Sequence, residues 1–61
     1  MPTAHSSLLQ WLQDQPEYYI LRVMAPTELS PFWLVSVHIF SSFGASYEDA
    51  CYELLQIIRK S

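Results

Sequence analysis

Trp33-Leu34-Val35-Ser36-Val37-His38-Ile39-Phe40 is the stretch that decides how this chain folds. Side chains alternate between faces along an extended strand. The odd positions Trp33, Val35, Val37 and Ile39 are all apolar, whereas the even positions Leu34, Ser36, His38 and Phe40 are half polar. One face of such a strand belongs to a core, and the other is too apolar to be left to water. A chain of 61 residues has little left to cover it. The pattern predicts a sheet whose outer face meets a protein partner or a second copy of the chain.

Upstream, Tyr18-Tyr19-Ile20-Leu21-Arg22-Val23-Met24 is aromatic and β-branched and reads as a first strand. Between the two runs, Pro26 and Pro31 stop any regular element. Ala25 to Pro31 is therefore a stiffened loop joining antiparallel strands, the second covering about Phe32 to Phe40. Parity fixes the faces, and a shift of two residues would keep them. With Val23 opposite Val35, Leu21 meets Val37 and Tyr19 meets Ile39 on the core face. The outer face then pairs Tyr18 with Phe40, Ile20 with His38, Arg22 with Ser36 and Met24 with Leu34. A slip of one residue would carry Arg22 into the core.

Helices flank the hairpin. Ser7-Leu8-Leu9-Gln10 fits a capping box, and Leu8, Leu9, Trp11 and Leu12 follow at helical spacing. Pro16 disfavours helix at Gln15, so this element spans about two turns. Residues 1–6 read as a short flexible arm before a single domain over 7–61. After the sheet, Ser41 to Ala45 is a turn, with Gly44, the only glycine, as its expected positive-φ position. Ser46 caps a second helix. Its apolar stripe is Tyr47, Ala50, Cys51, Leu54, Leu55, Ile57 and Ile58. Glu48 and Asp49 sit in its first turn, and Arg59 and Lys60 in its last, matching the helix dipole. The expected fold is α+β: helix-strand-strand-helix, a two-stranded antiparallel hairpin with both helices on one face. Such a sheet leaves open edges that dimerisation could extend.

Composition narrows the function classes. The net charge is −3, with six acids against three bases, which disfavours phosphate contacts to nucleic acid. No apolar run approaches the ~20 residues of a membrane span. The first seven residues lack a basic region ahead of an apolar stretch, so no secretory signal is expected and the chain reads as cytoplasmic. The single cysteine excludes an internal disulfide and suits a reducing compartment.

Catalytic, cofactor and metal sites are not expected. His38 has Ser36 two residues away, but no acid is placed to complete a triad. Cys51 lies on the apolar stripe beside Glu48 and Asp49, whose charges oppose thiolate formation. His5, His38 and Cys51 lack ligand spacing. Gly44 stands alone and makes no phosphate loop.

The segment Phe43-Gly44-Ala45-Ser46-Tyr47-Glu48-Asp49-Ala50 resembles the strand-to-helix junction of small α+β proteins such as HicB-type antitoxins and small phage-encoded regulators. The likeness covers eight residues and is carried by helix capping. The HicB-like pattern includes a further strand not read here, and no family membership follows. The resemblance implies a regulatory protein that acts by binding.

The expected function is a non-enzymatic interaction module, a regulator or inhibitor that docks an apolar sheet face on a larger protein. Tyr18, Ile20, Arg22, Met24, Leu34, Ser36, His38 and Phe40 would make the contact. The alternative is a homodimer that binds a small ligand in a pocket at its interface.

Overall fold

A computed structural model describes residues 3–61. Helix α1 spans Ala4–Gln13, strands β1, β2 and β3 span Leu21–Met24, Trp33–Val37 and Phe40–Gly44, and helix α2 spans Tyr47–Lys60. The strands form one antiparallel sheet in the order β1-β2-β3. The fold is α+β, with one strand more than the expected hairpin.

β1 and β2 pair in one of the registers that parity allows, with Val23 opposite Val35: Leu21 pairs with Val37, Arg22 with Ser36 and Met24 with Leu34. The connecting loop carries Pro26 and Pro31, and is closed by reciprocal backbone bonds between Thr27 and Ser30 of 2.8 and 3.3 Å. Tyr18, Tyr19 and Ile20 precede the ladder and do not pair in it.

The single long strand expected from Phe32 to Phe40 is instead a hairpin. It breaks after Val37 and turns through His38 and Ile39. His38 takes φ 55°, and no other non-glycine residue described has a positive φ. A positive φ at only the first central residue is the pattern of a type II′ turn, whose twist suits a two-residue hairpin. Glycine usually occupies that position; histidine is among the residues that tolerate it better than most. The turn changes the parity of everything after it. Phe40 pairs with Val37 and so shares the inner face, rather than pointing outward. Ile39, expected in the core, sits at the tip and is 80% exposed.

α2 follows the sequence closely. The Ser46 hydroxyl accepts a 3.1 Å bond from the Asp49 N–H, capping the helix. Ala50, Cys51, Leu54, Leu55 and Ile58 are buried, whereas Ile57 is 40% exposed. The helix lies against β2 and β3. Gly44 allows this close approach, and not through a positive φ, which it lacks. A Cβ at Gly44 would stand 2.8 Å from the Ala50 Cα, inside van der Waals contact.

α1 starts earlier than the capping box at Ser7 suggests. Thr3 is the cap, its hydroxyl oxygen accepting a 3.0 Å bond from the Ser6 N–H. Met1 and Pro2 of the expected arm lie outside the described residues, and Ala4 to Ser6 form the first helical turn. This helix packs on α2 and not directly on the strands, so the expectation of both helices lying on the sheet is corrected. Glu48 ties the two helices together: its carboxylate accepts bonds from the backbone N–H groups of Ala4 and His5. A negative charge there complements the start of both helices.

The core comprises Leu8, Val35, Val37, Ala50, Cys51, Leu54, Leu55 and Ile58, with Trp11, Leu21, Trp33 and Phe40 packed around it. Among the described residues it contains no buried polar or charged side chain. No helix of these residues is long and apolar enough to cross a membrane.

Candidate functional site

The outer face of the sheet begins with residue types, because parity sends Arg22, Met24, Leu34 and Ser36 away from α2. The ladders then extend each pair across three strands. One row reads Arg22, Ser36, Ser41; the next reads Met24, Leu34, Phe43. The first is polar and the second wholly apolar. Met24 and Phe43 are each 59% exposed, and Leu34 between them is partly sheltered. Phe32 extends the apolar end, lining a shallow hollow with Phe43, Gly44 and Ala45. No part of α1 or α2 covers this row.

At the opposite end of the sheet the His38 turn faces the segment before β1. His38 stacks on Tyr19 with ring centres 4.4 Å apart and planes inclined by 22°. Tyr19 stacks in turn on Trp11 of α1 at 5.9 Å. These rings pack against the residue of the turn whose φ is positive. Beside them opens a cleft of about 350 Å³, lined by Tyr18, Ile20, Arg22, Ser36 and His38 among others. Arg22 and Ser36 therefore belong to both the outer face and the cleft.

The eight residues expected to bind a partner divide accordingly. Arg22, Met24, Leu34 and Ser36 lie together on the outer face. Tyr18, Ile20 and His38 gather at the cleft instead of pairing across strands. Phe40 leaves the set, because its turn sends it inward against the core. Phe43 and Phe32 join the face. Phe40-Ser41-Ser42-Phe43 has no period-two alternation to mark Phe43, and its facing becomes legible only once the turn is placed at His38-Ile39.

Chemistry in the interior is limited. Cys51 is fully buried, and burial pushes its thiol above the ordinary range, with the Glu48 charge adding to the effect and a hydrogen bond from Tyr47 opposing it. Burial, followed by the hydrogen bond to Cys51, pushes the Tyr47 hydroxyl up to about 12. A neutral thiol closed off from solvent is a packing residue. Among the described residues, no three His, Cys, Asp or Glu side chains converge as metal ligands would.

Comparison with protein-family models, curated proteins and solved structures gave no significant match to this chain.

Proposed function

We propose that the protein acts by binding another protein through the outer face of its sheet, as a non-enzymatic regulator or inhibitor. The observation that carries this reading is the uninterrupted row Met24–Leu34–Phe43, extended by Phe32 and bordered by Arg22, Ser36 and Ser41. An apolar centre beside a polar rim, with aromatic and arginine side chains in reach, has the composition of a binding hot spot. Docking would bury side chains that the monomer leaves in water.

The test is capture from a lysate of the source cells by immobilised wild type and three variants. Met24→Asp and Phe43→Asp should each lose a protein that wild type retains. Leu29→Asp, at a loop tip 98% exposed, should keep it. Equal retention by all four would reject the outer face as the docking surface.

A second reading rests on the cleft at Arg22, Ser36 and His38: a pocket for a small ligand, completed by dimerisation. Its size is within the range of small-molecule sites. Small-ligand screening by NMR would support it if shifts cluster at Arg22, Ser36 and His38, and would reject it if they do not.

A further inference from the structure

The two edges of the sheet are treated differently by the rest of the chain. In β3, Phe40, Ser42 and Gly44 are all at least partly sheltered under α2, and Gly44 is pressed against its backbone. In β1 only Leu21 is sheltered, and Arg22, Val23 and Met24 are exposed. Val23 shares the inner face with the fully buried Val35 opposite it, yet is itself 43% exposed. α2 reaches β2 and β3 but not β1. β1 carries no proline, lysine or bulge; of the devices that stop an edge from pairing it has its short length and one charge, Arg22. A sheet edge of this kind offers a row of free backbone groups beside an inner-face side chain that the chain's own helices do not cover.

We propose that a second copy of the chain pairs on this edge, β1 against β1 in antiparallel sense, joining two three-stranded sheets into a continuous one. The partner is a copy because a two-fold brings Val23, the inner-face side chain left wet at this edge, against its own counterpart. A two-fold axis normal to the sheet keeps inner residues with inner and outer with outer, so only registers that respect those faces are possible. Two of these overlap most of β1. In one, Arg22 stands directly against Arg22 of the second copy, and like charges opposed in this way are destabilising. In the other, Val23 meets Val23 of the second copy on the inner face, and Arg22 lies across from Met24. The structure favours the second register. It extends the inner face with a pair of valines where each copy alone is wet. A core of eight buried side chains without a disulfide gains from that addition. The axis also leaves both outer faces on one side, so the dimer presents two Met24–Leu34–Phe43 rows on a single surface. The pairing uses the edge and does not depend on that face binding a partner.

The test combines molar mass with single cysteine substitutions. Light scattering of the wild type should give twice 7.1 kDa at high concentration and fall on dilution. Under mild oxidation Val23→Cys should form a disulfide-linked dimer, because directly opposed residues lie within bridging distance. Arg22→Cys should not, because in this register its copy is offset along the strand by two residues, too far for a disulfide. The native Cys51 is buried, so wild type under the same oxidant serves as the control. Circular dichroism verifies that both variants remain folded. A mass of 7.1 kDa at every concentration would overturn the proposal. So would cross-linking of Arg22→Cys alone, or of neither variant.

Discussion

Phe40 and Phe43 lie three positions apart and face opposite sides of the sheet, since Phe40 pairs with Val37 and Phe43 with Leu34. The same substitution should therefore have opposite consequences at the two sites. Phe40→Asp places a carboxylate against the core, and should cost about 3 kcal/mol or more in urea unfolding. Phe43→Asp should change stability by less than about 1 kcal/mol, because that ring is already more than half in water. Equal losses would show that the two rings share one environment. Tyr47 and Cys51 give a second prediction at this scale. Both are held neutral in the folded chain, so in alkali the unfolded chain gives up protons that the folded one keeps. The contribution of these two groups should be level below about pH 9 and should be lost as pH rises through about 9 to 12. Tyr47→Phe should remove part of the fall above about pH 10, seen by comparing urea midpoints at about pH 8 and about pH 11. A fall identical to wild type would mean that Tyr47 is not the group responsible.

Among the elements, α1 depends on a residue from elsewhere in the chain. Thr3 satisfies the Ser6 N–H, while the Ala4 and His5 N–H groups turn to Glu48 at the start of α2. Glu48→Ala should cost about 0.5–2 kcal/mol, the usual range for a lost cap, and should loosen α1 more than α2. Amide hydrogen exchange would show it as faster exchange in α1, with α2 little changed; uniform acceleration would deny the tether. This is also why the beginning of α1 was hard to read. Ser7 and Gln10 supply a complete local capping signal, whereas Thr3 lacks an acid three residues on, and the acid that serves the helix is distant in sequence. The third strand was hidden for a comparable reason. His38-Ile39 contains none of the glycine, asparagine or proline that ordinarily marks a tight turn, and apolar alternation runs straight through it. α2 was legible because its cap, stripe and terminal charges are all local.

For the molecule as a whole, the facing of β1 and β2 could be read because Arg22 permits only one parity, and the outer face followed from it. Registers two residues apart share that facing, and the structure selects among them. The site was legible to the same extent: Arg22, Met24, Leu34 and Ser36 were placed by parity. Phe43 and Phe40 were not, because their facing depends on the turn. The position of α1 on α2 rests on contacts that no local pattern records. One distribution reaches further than packing. Of the eight core side chains, all but Leu8 fall between Val35 and Ile58, within a continuous run of hairpin and helix. Those contacts close over short loops, so they form with little loss of chain entropy. The C-terminal half should supply the folding nucleus, with β1 and α1 condensing onto it afterwards. Truncating Val35 or Leu54 should then slow folding, whereas truncating Leu8 should chiefly speed unfolding, a division that stopped-flow kinetics resolves.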